Sequence, residues 1–411
     1  MTNFPAAPPN PGAREPLAGE PLAAAMEAFD QALAERYLVR HGVVSPLGLW
    51  LLLATVSPLA ALDEARELRD ALGLKPNEAA PAAANLIATP HPALGATVAL
   101  WRRRGQVTPG FRAWTELLPP AITTGEVPTP AEADAWADRG TSSLISRFPL
   151  PITELTSIVL ASALATDVTW KHAFTVCPSA NLRGPWAERV RSVLRAPAVA
   201  WQGIVDTEAA GTVACHRARS VEGLDVLSVL AAPEVAPAQV HAALREVNRV
   251  IHVRSTRARQ RTLYELPLRG HAWEIEEVAD ADCPLELFDT YLPAWEVTAS
   301  HDLTGAPGMD AALRVLRREI VPGLREASRV EARQSALARF TARGFQAAAV
   351  TGLGLRGLGG PEPAPHLPAR RATLRFNRPY AVLASVTDGA AEPWRGMPVF
   401  SAWVAEPMEA E

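Results

Sequence analysis

The sequence is poor in cysteine: three residues, Cys177, Cys215 and Cys283, in a chain of 411. They are odd in number, widely spaced and form no C-x-x-C pair, so neither a disulfide framework nor a zinc motif is indicated. They read as buried free thiols. Long apolar runs are also missing. The most apolar segment, Leu47 to Val56, falls short of the roughly 20 residues that a membrane helix needs. The opening M-T-N-F-P-A-A-P-P-N-P-G-A-R-E-P has no basic start followed by an apolar stretch, so no secretory signal is read. These absences point to a soluble, cytoplasmic protein with no membrane partner. A net charge of −4 with mixed signs carries no nucleic-acid signature. Neither G-x-S-x-G nor H-E-x-x-H occurs. The nine histidines are scattered and read as structural or surface groups. No catalytic residue, metal or cofactor is expected.

Proline is plentiful, at 37 residues, many of them near the N-terminus and in loops. Residues 1–21 read as a disordered, proline-rich leader. Pro21 to Tyr37 then carries apolar residues at helical spacing (Leu22, Met26, Phe29, Leu33). Ser45 and Pro46 are a cap and a first turn for a helix that is apolar nearly all round and should cross the core. Asp63 is expected to cap the next helix, which Gly73 ends. Further helices are read at Gly110–Leu118, Ala131–Arg147, Ala236–Val253 and Asp310–Ile320. Strands are read at Thr97–Trp101, Gly211–Cys215, Leu224–Leu230, Thr262–Leu268, Tyr291–Thr298, Arg375–Ser385 and Val399–Val404. Ser157 to Val168 reads as a central strand buried on both faces, closed by Trp170. Helices and strands interleave without βαβ spacing, which favours a mixed α+β domain.

One stretch is unusual in its order. Ala332 to Thr341 alternates as a strand does, Gly344 breaks it, and Phe345 to Thr351 is rich in small residues and free of proline. Glycines at 352, 354, 357, 359 and 360 follow, then P-E-P-A-P-H-L-P. Gly352, Gly354 and Gly357 imitate the G-x-G-x-x-G dinucleotide fingerprint. That motif needs a helix after the glycines and an acidic residue about twenty positions on. Here Gly359, Gly360, Pro361 and Pro363 follow, and R-A-T-L-R-F-N-R-P-Y lacks a carboxylate. The stretch reads instead as a strand, a hinge and an exposed loop open to a partner. A basic cluster at Arg102–Arg104 suits either a polyanion or a solvated strand end.

Several segments together resemble the serpin family, here a bacterial-type intracellular member. They are S-P-L-G-L-W-L-L-L-A with D-E-A-R-E-L-R-D-A-L-G-L, the spacing of Trp136, Thr141 and Ile145, and I-V-L-A-S-A-L-A-T-D-V-T-W-K-H-A-F. Y-L-P at Tyr291, R-F-N-R-P-Y and G-M-P-V-F-S-A-W-V-A-E-P complete the set, in family order from about residue 22 to 407. The resemblance implies one α+β domain over 22–411, with a large mixed sheet, two smaller sheets, surrounding helices and a reactive loop at about 343–372. It implies a monomeric suicide inhibitor of serine, or cysteine, proteases. A protease cuts the loop, and the cut loop inserts into the large sheet. Trp170 maps to the tryptophan where insertion begins.

The implied hinge is Gly344, Phe345, Ala347, Ala348, Ala349 and Thr351. Counting forward from Gly344 by the family's usual length gives Leu358–Gly359 as the reactive bond. Leu358 suits a chymotrypsin- or subtilisin-like target. Arg356, or Arg370 with Arg371, suits a trypsin-like one, and counting back from Phe376 gives Pro368. His41 and Ser162 replace the family's usual residues, which implies altered hydrogen bonding within the same fold. Ala342 replaces an acidic residue. Phe345 stands where inhibitory members carry a small residue, and overpacking there is expected to cost about 1–3 kcal/mol on insertion. A non-inhibitory binding protein on the same fold is the alternative.

Overall fold

The computed structural model describes residues 20–103, 107–141, 148, 152, 156, 158–252, 257–278, 285–319, 332–345, 369–387 and 393–411. In chain order the first part runs α1 (Glu20–Tyr37), β1 (Gly42–Val44), α2 (Pro46–Val56), α3 (Leu62–Leu72), α4 (Pro76–Ala88), β2 (Gly95–Arg102), α5 (Pro109–Glu116), β3 (Ile122–Glu126) and α6 (Pro130–Gly140). Then come β4 (Ile158–Ala165), β5 (Val168–Thr169), β6 (Thr175–Pro178), β7 (Ser192–Arg195), β8 (Trp201–Thr207), β9 (Gly211–Arg219), β10 (Leu224–Leu230) and α7 (Pro237–Ile251). The last part is β11 (Arg259–Arg261), β12 (Trp273–Val278), β13 (Glu286–Leu292), β14 (Trp295–Asp302), α8 (Met309–Glu319), β15 (Arg333–Phe340), β16 (Gly344–Phe345), β17 (Ala369–Arg375), β18 (Tyr380–Val386) and β19 (Pro398–Val404). The fold is mixed α+β.

Local chemistry explains most of these boundaries. Ser45 Oγ accepts from the Gly48 amide at 3.2 Å and starts α2, whose every residue is buried. Gly73 ends α3 in the left-handed region, at φ 69°. Asp63 is not the cap of α3. Ala61 holds that position, and its amide donates to the Glu64 carboxylate at 2.9 Å. Helix α4 escapes a sequence reading because its alanines give little apolar contrast and Pro81 interrupts it. Thr262–Leu268 is a turn region, not a strand: Glu265 pairs with Arg259 at 2.6 Å and Arg261 at 3.1 Å and holds it folded. Pro293 divides the expected Tyr291–Thr298 strand between β13 and β14. Cys215 is buried as expected, whereas Cys177 is only half-buried on β6.

A seven-stranded sheet runs β1-β19-β18-β10-β9-β8-β11, and a five-stranded one runs β12-β17-β13-β7-β6. The remaining strands form two blocks, β3-β2-β4 and β14-β15-β16-β5. Only Thr166 and Asp167 separate β4 from β5. Side-chain parity carries through, because Ile158, Leu164 and Val168 all enter the same core. The two blocks are therefore halves joined along the chain at Thr166 and Asp167, with no strand of one paired to a strand of the other among the described residues. The Ser157–Val168 run is not buried between partners along its length: β4 pairs with β2 alone among the described residues. Helix α2 lies beneath both halves in the main core. On the opposite face Ala99, Trp101, Val159, Ala161 and Ala163 form a second core with Trp136 of α6.

The centre holds one fully buried ion pair. Asp30 of α1 accepts from Arg245 of α7, and from Ser401 Oγ of β19 at 2.6 Å. Removing one partner would strand the other charge in the core. Asp30→Ala is therefore expected to destabilise the protein by about 3–5 kcal/mol in urea unfolding. Asp30→Leu combined with Arg245→Met should recover most of that loss. A loss under about 1 kcal/mol for Asp30→Ala would show that the charge is not buried.

Two histidines are also enclosed. His216 of β9 has no hydrogen-bond partner on either ring nitrogen among the described residues, and burial pushes its pKa down to about 3. Burial, and then the Arg245 charge, also holds His241 well below its ordinary range. The unfolded chain takes up these protons first, so stability should fall as the pH drops below about 6.5. For His216 the slope is about 1.4 kcal/mol per pH unit, down to its folded value near 3. His216→Leu should lose that component in unfolding curves taken between about pH 7 and pH 5. Equal pH slopes for both proteins would contradict a neutral, enclosed His216.

Candidate functional site

The site begins where β15 ends. After Phe340 the chain turns through Thr341, Ala342 and Arg343 and comes back as β16. Phe345 pairs with Phe340 on one side and with Val168 on the other; Gly344 pairs with Thr169. The turn is closed by the Thr341 amide, which donates to the Gly344 carbonyl at 3.0 Å. Glycine is required at 344, because a Cβ there would lie 2.2 Å from the Val168 carbonyl oxygen. The expected hinge glycine thus lets two backbones approach closely.

Trp170 clamps this turn twice. Its amide donates to the Arg343 carbonyl at 3.0 Å, and its indole N–H donates to the Thr341 carbonyl at 3.0 Å. The Phe174 amide adds a bond to the Ala342 carbonyl at 2.8 Å. The clamp is itself tied to the β9–β10 hairpin. The Thr169 amide donates to the Glu222 carboxylate at 3.0 Å, and the Val221 amide to the Thr169 carbonyl at 2.8 Å. Burial, and then the neighbouring Glu222 charge, raises the pKa of Asp167 beside the clamp.

Phe345 is 2% exposed and has a pocket of its own. Its ring lies 6.1 Å from Trp295, edge to face, and 6.5 Å from Trp170. Phe340 stacks on Trp295 at 6.0 Å and meets Trp170 at 5.0 Å. Phe174 closes the cluster at 5.3 Å from Phe340 and packs against His216, also at 5.3 Å. Aromatic pairs of this kind contribute about 0.5–1.5 kcal/mol each beyond the area they bury. The expected overpacking penalty at Phe345 is corrected by this pocket: the ring is already seated. Sequence reasoning singled out Trp170 and Phe345 but missed Trp295, Phe340 and Phe174. The one available signal was the density of aromatic residues around two strand ends.

Below the clamp, β15 pairs with β14 and β4 pairs with β2. Among the described residues β4 and β15 do not pair with each other. The start of α2 spans the seam between them. Gln334 of β15 accepts from the Ser45 amide through Oε1 and donates to the Ser45 carbonyl through Nε2, both at 2.9 Å. A Cβ at Gly48 would lie 3.1 Å from Ser162 Oγ of β4 and 3.7 Å from Gln334 Nε2. His41 bridges β14 and the segment after β19. Its Nε2 contacts the Glu296 carbonyl at 3.1 Å, and its Nδ1 accepts from the Ala405 amide at 3.1 Å.

The described chain resumes in β17. Arg370 pairs with Glu277 at 3.4 Å, Arg371 with Asp289 at 3.5 Å, and Arg375 with Glu274 at 2.9 Å. Strand β17 therefore begins at Ala369, within the stretch 343–372 expected to hold the reactive loop. Arg370 and Arg371 belong to a paired strand and offer no open bond to a protease. Ala347, Ala348, Ala349, Thr351, Arg356, Leu358 and Gly359 lie outside the described residues. Among the described residues no three of His, Cys, Asp and Glu gather to hold a metal, and no helix is long and apolar enough to cross a membrane.

No protein-family model and no curated sequence matches this chain. Solved structures do. The thermophilic serpin Tengpin in its native state aligns at a TM-score of 0.63 and 13% identity, over 96% of each chain. Serpin48 of the insect Tenebrio molitor aligns at 0.60 and 13%, over 95% of this chain and 99% of that one. Human thyroxine-binding globulin, complexed with thyroxine, aligns at 0.61 and 14%, over 94% and 98%. With these alignments over nearly its whole length, the chain has the serpin fold.

Proposed function

We propose that this chain inhibits serine proteases once per molecule, by offering its loop as a substrate and inserting it into the seam. The observation that carries the reading is β16. Two hinge residues already pair as a strand between β15 and β5, while the strand edges below them are unpaired among the described residues. A longer segment extending β16 would find a backbone partner on each side.

The chemistry belongs to the protease. Its serine attacks the Leu358 carbonyl, an ester to Leu358 forms, and the amine of Gly359 leaves. Strand insertion then competes with hydrolysis of that ester. In this reading residues 22–411 are one domain, acting as a monomer in the cytoplasm on a chymotrypsin- or subtilisin-like target. A second reading, a binding protein that does not inhibit, is supported by the thyroxine-binding globulin match and by Ala342 at a position acidic in the family.

Mixing the protein with chymotrypsin and subtilisin should give a complex that survives SDS, with the cut after Leu358. A complex with trypsin alone would move the reactive bond to Arg356. Cleaved protein without any complex would overturn inhibition in favour of binding.

Phe345 distinguishes the states further. Because its ring is seated before any cleavage, Phe345→Ala should destabilise intact and loop-cleaved protein equally, by about 3–5 kcal/mol. The number of inhibitor molecules consumed per protease should not change. A fall in that number would show that the ring obstructs insertion after all.

A further inference from the structure

The basic cluster at 102–104 is only partly committed to the fold. Arg104 lies outside the described residues, and Arg103 Nε donates to the Thr156 carbonyl at 3.2 Å. Arg102, half-buried at the end of β2, makes no ion pair or side-chain hydrogen bond among the described residues. It lines a cavity of about 350 Å³ at the β3 edge of the three-stranded block. Small-molecule sites span roughly 300–1,000 Å³.

The parallel register of β2 and β3 builds one wall. Val98, Leu100 and Arg102 pair with Ile122, Thr124 and Glu126, so these side chains share the face that Val98, Leu100 and Ile122 turn to the main core. Thr115 and Glu116, the last residues of α5, line the cavity from the helix side. Leu100 is the one apolar side chain in the lining among the described residues.

These charges narrow the ligand. A polyanion would be drawn to Arg102 but repelled by Glu116 and Glu126. A metal ion would meet the Arg102 charge, and among the described residues no three of His, Cys, Asp and Glu gather to hold one. An apolar molecule would find only Leu100 to bury against. The set that complements one guanidinium and two carboxylates is one carboxylate and two cationic groups, the charges of a cationic amino acid. The guanidinium can give a carboxylate two parallel hydrogen bonds. Glu126, opposite Arg102 in the register, is placed for the neighbouring α-ammonium, and Glu116 for the side-chain cation. The carbonyls that end α5 add negative potential on that side.

We propose that this cavity binds a free cationic amino acid of the lysine and arginine class, with Arg102 holding its carboxylate and Glu116 and Glu126 its two cationic groups. None of these residues belongs to the hinge, the clamp or the aromatic pocket, so the site is independent of whether the loop inhibits a protease.

Titration calorimetry on the intact protein, with L-lysine and L-arginine as probes, should show saturable binding that weakens with added salt. Cadaverine and agmatine, which lack the carboxylate, and 6-aminohexanoate, which lacks the α-ammonium, should bind about tenfold more weakly or worse. Arg102→Gln and Glu116→Gln should each weaken L-lysine by a similar factor, and Arg102→Gln should not weaken cadaverine. Thr124→Trp fills the cavity without removing a charge and should abolish binding. Melting temperatures of the unliganded variants should match wild type, which separates lost binding from lost folding. Equal affinity for cadaverine and L-lysine would overturn the assignment of Arg102 to a carboxylate. L-Lysine binding untouched by both Arg102→Gln and Glu116→Gln would overturn the site, and so would no binding of either amino acid at millimolar concentration. Binding of a peptide that ends in lysine, without binding of free L-lysine, would overturn the free amino acid as the ligand.

Discussion

Two strand edges that do not pair with each other among the described residues govern this molecule. Backbone N–H and C=O groups are rarely left unpaired when shielded from water. Here β4 and β15 each satisfy one edge, through β2 and β14, and among the described residues β16 alone bridges β15 to β5, the continuation of β4. What separates them is supported from beneath. The start of α2, with Ser45 bonded to Gln334 and Gly48 against Ser162, reaches both margins. That geometry follows from the local sequence: serine caps the helix, proline opens it, and glycine leaves room for the two polar side chains.

The clamp at the top is a different kind of device. Trp170 spends its amide and its indole N–H on the carbonyls of one three-residue turn. Its ring also forms a wall of the Phe345 pocket. Polar and apolar terms therefore act on the same few atoms, and loosening the turn would open the pocket as well. The polar bonds give the turn its shape, each worth about 1 kcal/mol net after exchange with water, and the aromatic cluster adds buried area behind it.

Much of this was legible in the chain. Ser45, Pro46 and Gly73 act through their own backbone chemistry, and they marked helix limits without knowledge of the fold. Gly344 was legible because only glycine tolerates such a close approach. The order of weak motifs along the chain pointed to the serpin fold, which the alignments show although no sequence comparison does. Other features depend on partners distant in sequence. The division of the Ser157–Val168 run needs β16 to be placed first, because a buried apolar strand looks the same whether one edge is paired or both. Phe345 looked too large because its pocket is assembled from Trp170, Trp295 and Phe340, which no spacing rule brings together. Thr262–Leu268 alternates as a strand does, yet charge pairing around Glu265 folds it into a turn.

The arginine ladder of β17 has a consequence for how the molecule breaks. The strands beyond residue 368 are secured elsewhere: β17 lies between β12 and β13, and β18 and β19 are interior strands of the seven-stranded sheet. A cut anywhere from 346 to 368 therefore yields two polypeptides but a single particle. The smaller piece, bearing Arg370, Arg371 and Arg375, stays lodged by strand pairing and charge, and separates only when the whole body is denatured.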